Sequence, residues 1–179
     1  MGSYNIDSKN KVKRIPDRGY YDKATVYEIL DGAFVGHVGF VIDGQPFVIP
    51  MAFGRKEDHI YLHGATSSRL MRQLSDGIPA CLTVTHLDGI VLARSTFHSS
   101  MNYRSAVIFG QAKIVENERK IECLKIITDH ILKGRWEETR PPHDKELKAT
   151  TVLELTIKQA SAKIRTGPPI DDKEDYDLD

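Results

Sequence analysis

The sequence lacks most of the features that assign a protein to a class at first sight. It has two cysteines, one tryptophan and no net charge, because 25 basic residues balance 25 acidic ones. A neutral chain has no overall attraction to nucleic acid or to an anionic membrane surface. Cys81 and Cys123 lie in separate apolar segments, which favours two buried thiols over a disulfide.

Long apolar runs are also absent. No segment approaches the length of a membrane span, and the polar N-terminus has no signal-peptide core. At 179 residues, the chain is long enough for one domain with a substantial core. We therefore predict a soluble, cytoplasmic protein with no membrane or nucleic-acid partner.

The common catalytic signatures are missing as well. The chain contains no G-x-S-x-G, no Walker loop, no G-x-G-x-x-G and no H-E-x-x-H. Most of the candidate histidines lie in strand-like runs, at spacings that match no zinc-binding pattern: His37, His59, His63, His86 and His98. We predict no metal site.

Turn signals and apolar periodicity divide the chain into a flexible basic arm (1–18), one domain (19–170) and a disordered tail (171–179), in which six of nine residues are acidic. Asp22 begins a helix that ends at Gly32. Asp43-Gly44 predicts a hairpin between strands 33–42 and 45–53. The prolines of the second strand predict a sheet edge, a bulge or a sheet side left open for something else.

A second hairpin is predicted at Asp88-Gly89, between strands 80–86 and 90–95. A strand over 103–115, a helix over 117–132 and a last strand over 151–157 follow, with an extended polar segment after it. Five to seven short strands with few helices predict a mainly β fold, an antiparallel β-barrel with peripheral helices.

The stretch 60–74 (IYLHGATSSRLMRQL) carries the clearest chemistry. A short strand breaks at His63-Gly64 and leads into an amphipathic helix beginning near Ser67, Ser68 and Arg69. Free N–H groups and the helix dipole at such a junction favour an anion. The alternative is that Thr66 or Ser67 only caps the helix. Two more polar clusters, Asn102–Ser105 and 161–168, make a phosphate-bearing ligand more plausible.

Four motifs together carry a family resemblance: GFVIDGQPFVIPMAFGR, IYLHGATSSRLMRQL, VTHLDGIVLARSTFHSSMNYRSAVIFGQA and SAKIRTGPP. From about Arg14 to Pro169 the chain resembles the flavin-nucleotide-binding branch of the pyridoxamine 5′-phosphate oxidase-like proteins, near the Nim-type nitroimidazole-resistance reductases. This resemblance implies an FMN-binding split barrel that forms a homodimer, with FMN in the groove between subunits.

The resemblance also implies roles for individual residues. Pro50, Met51 and Ala52 match the strand along the flavin ring, and His63 and Gly64 match the strand end near the ribityl chain. Ser67, Ser68 and Arg69 match the cluster that holds the FMN phosphate, although Ser68 stands where the oxidases have a basic residue. Tyr103, Arg104 and Ser105 match a segment of the flavin pocket contributed by the partner subunit, and Lys163, Arg165 and Gly167 match a motif that closes the site.

The family implies an FMN-dependent oxidoreductase that reduces a small electron-poor acceptor, such as a nitro compound or quinone, with hydride from NAD(P)H. His63 is the candidate proton donor, with a structural strand-end histidine as its alternative. The substrate-binding residues for pyridoxal phosphate do not match clearly, so vitamin B6 oxidation is not predicted. Three other functions stay open: a non-catalytic flavin-binding or storage protein, a haem-handling barrel and a deazaflavin-binding barrel. Haem-degrading relatives use a C-terminal histidine, and this chain has none after His143.

Overall fold

The centre of the protein is a closed barrel of six antiparallel strands, in a computed structural model that describes residues 2–177. The strands are β1 (Gly19–Tyr20), β2 (Val35–Ile42), β3 (Gln45–Lys56), β4 (His59–Ala65), β5 (Pro79–Val91), β6 (Ser100–Ile114) and β7 (Thr150–Arg165). They lie in the order β1-β7-β4-β3-β2-β5-β6, and a further β6–β7 pairing closes the barrel. The predicted mainly β fold is confirmed.

Alternation along the strands puts one set of side chains inside the barrel and the other outside. Leu82, Ile108, Leu153 and Leu155 are fully buried and belong to one large core cluster. The neighbouring residues on the same strands therefore form the outer face. Asp43 and Gly44 form the turn between β2 and β3, with positive φ angles of 48° and 79°. The two strands pair antiparallel up to Ile42↔Gln45, so the predicted β2–β3 hairpin is confirmed.

Four α-helices surround the barrel: α1 (Lys23–Asp31), α2 (Arg69–Ser75), α3 (Asn117–Ile131) and α4 (Asp144–Ala149). Short 3-10 helices lie at Pro16–Arg18, Arg135–Glu138 and Lys173–Asp177. As predicted, Asp22 caps α1 by accepting a hydrogen bond from the Thr25 N–H at 2.8 Å. None of the helices within residues 2–177 combines the length and apolar character needed to cross a bilayer.

Helix α3 packs closely on the outside of β3 and β4. A Cβ atom on Gly54 would come within 2.7 Å of the Ile127 Cα, so this approach requires glycine. The buried face of α3 is centred on Cys123 and Ile127. Apolar spacing in the sequence predicts a face of Ile121, Leu124, Ile127, Thr128 and Ile131, and so places Ile121 and Ile131 on the buried side. Both of those isoleucines are exposed, because the helix is rotated to place Ile127 over Gly54.

The predicted hairpin at Asp88-Gly89 is wrong. β5 continues through it, with a β-bulge between Leu87 and Gly89, and pairs with β6 from Pro79↔Gln111 to Val91↔Ser100. The Asp88 carboxylate instead accepts two hydrogen bonds from Arg104, at 3.0 and 2.9 Å. The turn comes later, between residues 92 and 99. β7 is likewise longer than predicted, because the polar segment after residue 157 continues the strand.

The N-terminal arm is packed rather than flexible. Tyr4 is buried in the main core, and its hydroxyl donates a hydrogen bond of 2.7 Å to Asp58. The buried amide of Asn10 donates to the backbone oxygens of Asn5 and Ala160, at 2.8 and 3.0 Å. These contacts hold the N-terminal arm against the rest of the domain, whereas its basic composition predicted a flexible, solvated segment.

The acidic tail also differs from the predicted disorder. Lys173–Asp177 is a 3-10 helix, and Asp171 accepts a hydrogen bond of 2.8 Å from the Arg94 N–H. The part of this prediction that concerns Leu178 and Asp179 lies outside the described residues.

Candidate functional site

The barrel opens along one edge of β3. From Gln45 to Ala52 this strand pairs only with β2, and its pairing with β4 begins at Phe53↔Leu62. Past Leu62, β4 no longer pairs with β3; it stays paired with β7 as far as Ala65, and the chain then turns into α2. A slot therefore lies between the free edge of β3 and the segment that begins α2, and the prolines of β3 lie along it. Of the three alternatives that the prolines left open, the structure shows the sheet edge.

Arg69 connects the two sides of this slot. Its guanidinium lies 4.4 Å from the centre of the Phe47 ring, and the Phe47 ring stacks on Phe40. Among residues 2–177, no carboxylate forms an ion pair with Arg69. A cation held by an aromatic face and not neutralised by an acid suits an anionic group such as a phosphate. The chemistry of this part of the site fits a flavin phosphate.

The start of α2 does not use its hydroxyls as caps. Ser68 is the N-cap residue, yet its side chain makes no capping hydrogen bond, so the alternative of a cap by Thr66 or Ser67 is not what the structure shows. Since the first N–H groups of a helix have no intrahelical acceptor, those of α2 and the Ser68 hydroxyl are available beside Arg69.

His63 and Gly64 lie near the end of β4, next to this helix. A Cβ atom on Gly64 would lie 2.9 Å from the Met71 Cγ, so glycine lets α2 pack close to the strand. His63 lies on the outer face, as does Ala52 on the neighbouring strand, by alternation from the inward Leu62 and Phe53. Although its side chain is largely exposed, desolvation by the surrounding protein lowers the pKa of His63, so its imidazole is neutral near pH 7.

The other predicted residues form a second group on β6 and β7. The strands pair Tyr103 with Arg165 and Ser105 with Lys163. Directly paired residues point to the same face of a sheet, so this group is a true cluster. Arg104, however, pairs with His86 on β5 and points to the opposite face, where Asp88 holds it.

The cations of the second group already have partners. Lys163 donates to the Arg14 backbone oxygen at 3.0 Å, and Arg165 donates to the Asn102 side chain at 2.5 Å. Ser105 donates a hydrogen bond of 3.3 Å to the Lys163 backbone oxygen. This group is therefore a pre-arranged polar surface with fixed side chains.

The two groups cannot meet within one chain. β3 and β6 are three strands apart in either direction around the barrel, so they lie on opposite walls. The strand β7 separates the groups along the barrel as well: Gly64 pairs with Thr151, and Arg165 lies 14 residues further, or about 46 Å along an extended strand. Within one chain, the predicted residues therefore form two separate polar groups.

The sequence did not single out Phe47, which lies beneath Arg69, although it did include Asn102, the partner of Arg165, in a polar cluster. Phe47 looked like an ordinary strand residue, and only the tertiary path of α2 brings Arg69 over it. A pocket of about 540 Å³ is lined by Phe47 together with Cys81 and Phe109 among others, and none of the residues predicted from the sequence lines it. No three His, Cys, Asp or Glu side chains between residues 2 and 177 gather as a metal site.

A barrel opened along β3, with a cation-bearing helix start beside the opening, defines the class of pyridoxamine 5′-phosphate oxidase-like split barrels. The family model described as pyridoxamine 5′-phosphate oxidase matches residues 22–164. The chain belongs to this flavin-binding family.

Solved structures give the same result. The flavocytochrome Anf3 from Azotobacter vinelandii is 42% identical, with a TM-score of 0.88 over 96% of this chain and 80% of that one. The FAD and haem binding protein from Mycobacterium smegmatis is 38% identical, with a TM-score of 0.85 over 89% of this chain and 78% of that one. A third structure is described as a candidate 5-nitroimidazole antibiotic resistance protein from Bacteroides thetaiotaomicron. It is 26% identical, with a TM-score of 0.69 over 82% of this chain and 86% of that one. No curated protein matches the chain.

Proposed function

We propose that the protein is a redox flavoprotein that binds a flavin nucleotide between the two subunits of a symmetric homodimer. One observation carries the proposal: the two halves of the predicted site lie on opposite walls of the barrel, three strands apart. A two-fold axis brings the β3 half of one copy to the β6–β7 half of the other, and does so twice.

The surface available for this contact is suited to it. The outer-face residues of β5 and β6 alternate with the buried ones. Over residues 81–87 of β5 and 101–111 of β6, none of these outer-face residues is charged: Cys81, Thr83, Thr85, Leu87, Met101, Tyr103, Ser105, Val107, Phe109 and Gln111. An uncharged sheet face of this length is more typical of an interface than of a solvated surface.

Each half contributes a different function. Arg69, the Ser68 hydroxyl and the first N–H groups of α2 would hold the phosphate, and the free edge of β3 at Pro50–Ala52 would lie along the ring. Tyr103, Ser105, Lys163 and Arg165 of the second copy would close the site. The bound flavin supplies the hydride and electron chemistry, and the protein supplies binding, orientation and exclusion of water. The two free thiols are compatible with the cytoplasm, where we place the protein.

The nucleotide that we infer from sequence is FMN. The relative named for FAD makes FAD the direct competitor. The purified protein should be yellow and dimeric by light scattering, and chromatography of the nucleotide released by acid distinguishes FMN from FAD. A colourless monomer that binds neither nucleotide would overturn the proposal.

We propose turnover by the same site, with hydride from NADH or NADPH passing to a small electron-poor acceptor. Stopped-flow mixing with each nicotinamide should bleach the flavin absorbance within seconds, and a nitro compound or quinone should restore it. If neither nicotinamide reduces the flavin over minutes, the binding and storage function is the better description.

Haem binding is a second candidate, favoured by the two relatives named for haem. The described contacts give His37 and His63 no hydrogen-bonding partner, and both rings are exposed, so their nitrogens are available as ligands. Titration with haemin followed by the Soret band tests this candidate. Loss of the Soret band in one of the variants His37→Ala and His63→Ala, with the band retained in the other, would identify the ligand.

A further inference from the structure

The β5–β6 hairpin extends beyond the barrel as an arm, which we define as residues 87–101. Within the described strands, β2 pairs with β5 only from Cys81 to Thr83, and β7 pairs with β6 only from Tyr103 onward. The arm is thus a two-stranded ribbon with no third strand at its side. A ribbon of this kind needs another surface to bury its apolar side chains.

The apolar content of the arm is unusual for a projecting hairpin. Five large apolar side chains are between 51% and 89% exposed: Leu87, Ile90, Leu92, Phe97 and Met101. Ile90 pairs with Met101 and Leu87 pairs with Tyr103, so these four side chains share the outer face of the sheet. Phe97 and Leu92 lie further out, toward the tip.

The tip is held in place by the C-terminal segment. Besides the contact from Arg94 to Asp171, the His98 Nε2 lies 3.0 Å from an Asp172 carboxylate oxygen, and the His98 N–H donates to the Ser95 hydroxyl at 3.3 Å. Asn102 at the base of the arm donates a hydrogen bond of 3.1 Å to the Gly167 backbone oxygen. The apolar side chains are therefore presented on a braced support.

The position of Tyr103 identifies what the arm contacts. Tyr103 belongs to the half-site that faces the partner in the proposed dimer, and it is also the residue from which the arm extends. Since Leu87, Ile90 and Met101 share its face, they must face the partner too. The outer face below the arm is uncharged, so the proposed interface and the apolar side chains of the arm form one continuous uncharged surface.

We propose that the arm of each subunit covers the flavin site of its partner, with Leu92 and Phe97 forming an apolar wall beside the ring. This inference rests on the proposed function. An apolar wall that excludes water favours flat, uncharged acceptors, because a charged acceptor would lose its hydration without gaining a partner. The arm thereby selects the class of substrate.

The test compares two double variants. Leu92→Ala with Phe97→Ala removes the wall, and Ile121→Ala with Leu132→Ala removes exposed apolar side chains from α3 and the residue that follows it. The first variant should bind flavin roughly tenfold more weakly and show increased quenching of flavin fluorescence by iodide. The second should match the parent in both measurements.

A complementation experiment separates a partner's arm from a subunit's own. Two chains are coexpressed. The first carries Arg69→Ala and has an intact arm; the second keeps Arg69 and carries Leu92→Ala and Phe97→Ala in its arm. If the arm acts across the interface, about a quarter of the sites combine Arg69 with an intact arm, and a tight, iodide-protected flavin population appears. If the arm acts within its own chain, no such population forms.

The outcomes distinguish this inference from the proposed function. A parent protein that is dimeric and binds flavin, with an arm variant that matches it in affinity and iodide quenching, would overturn the role of the arm alone. Absence of flavin binding or of dimers in the parent would overturn the proposed function first.

Discussion

Among the described residues, Arg69 differs from the other predicted cations in having neither an ion-pair partner nor a hydrogen-bond acceptor for its guanidinium. Arg104 is held by Asp88, Lys163 by a backbone oxygen and Arg165 by Asn102. Of these residues, Arg69 alone combines an open slot, an aromatic support and the start of a helix. Its contribution to ligand binding should therefore be measurable by substitution.

Replacing Arg69 with alanine should weaken flavin binding by about one to two decades, because a charged hydrogen bond contributes roughly 1.5–3 kcal/mol. The melting temperature of the flavin-free protein should hardly change, since the side chain is exposed. Arg69→Lys should give an intermediate affinity, because lysine keeps the charge and loses the planar fork. Fluorescence titration with FMN and FAD measures both.

The matched control for this substitution is Arg135→Ala, an exposed arginine that pairs with Glu138 on the far 3-10 helix. It should bind flavin like the parent. An Arg69→Ala variant with unchanged affinity would show that the slot beside β3 does not hold the phosphate.

Two helix starts allow a second comparison at the scale of one residue. Asp22→Ala removes a real cap and should reduce the free energy of unfolding by about 1 kcal/mol. Ser68→Ala removes a hydroxyl that caps nothing, so it should leave stability unchanged and lower flavin affinity. Denaturant titration gives the free energy of unfolding of each variant, and flavin titration gives its flavin affinity. A stability loss in Ser68→Ala as large as that in Asp22→Ala would identify Ser68 as a structural cap.

Among the elements, the β3–β4 turn fastens the N-terminal arm through Asp58. This carboxylate accepts hydrogen bonds from Tyr4 and Tyr27 and pairs with Lys23. Burial alone would raise the pKa of Asp58, but the hydrogen bonds from Lys23 and the two tyrosines outweigh it and lower the pKa. The ionised form of Asp58 is therefore the one that holds the N-terminal arm.

Asp58→Asn should lower the free energy of unfolding by about 1–3 kcal/mol, because it leaves Lys23 and the tyrosine hydroxyls with a weaker acceptor. A carboxylate with a lowered pKa stabilises the fold above its ordinary value and loses that effect as the pH falls through the folded value. The difference between parent and variant should thus shrink in strong acid.

Asp76→Asn, at an exposed aspartate after α2, is the control and should change little. Urea unfolding at neutral pH and in acid measures these differences in stability. Amide exchange of residues 3–10 shows whether the N-terminal arm stays packed. Equal stability of the parent and Asp58→Asn at neutral pH would contradict the role of this fastening.

Elements with their own periodicity could be predicted from the sequence, and those decided by distant partners could not. α1, α2 and the β2–β3 hairpin carry local caps, apolar spacing and turn residues, and all three are confirmed. Asp88-Gly89 carries an equally strong turn signal, yet the long β5–β6 ladder and the Asp88–Arg104 pair override it. Local sequence does not reveal an arginine 16 residues away.

The same limit applies to the candidate site. Family motifs gave the residues of both polar groups, and the β3 prolines predicted a sheet edge as one of three alternatives. The assignment of neighbouring Arg104 and Ser105 to one pocket ignored that adjacent strand residues point to opposite faces. The separation of the halves by three strands follows only from the order of strands in the closed barrel.

For the whole molecule, the proposed interface predicts the effect of one buried charge. Val107 lies at the centre of the uncharged outer face, so Val107→Lys should place an unpaired ammonium in the dimer contact, at a cost of several kcal/mol. Light scattering should show monomers, and flavin should be lost together with the dimer because each site needs both copies.

A lysine at Ile114, which is exposed near the end of the same strand, controls for the substitution itself and should leave dimer and flavin unchanged. A flavin-loaded dimer of Val107→Lys would place the interface elsewhere on the barrel.

The position of β7 in the chain has a consequence for folding. β7 pairs with β1, β4 and β6, yet it is the last strand of the barrel to be synthesised. Until it emerges from the ribosome, β4 and β6 remain unpaired edges, and such edges recruit other chains. Closing the barrel also requires contacts between residues about 90 positions apart, as between β4 and β7, which slows folding. Assistance from a chaperone that shields strand edges should therefore raise the soluble yield during synthesis more than it raises the stability of the finished protein.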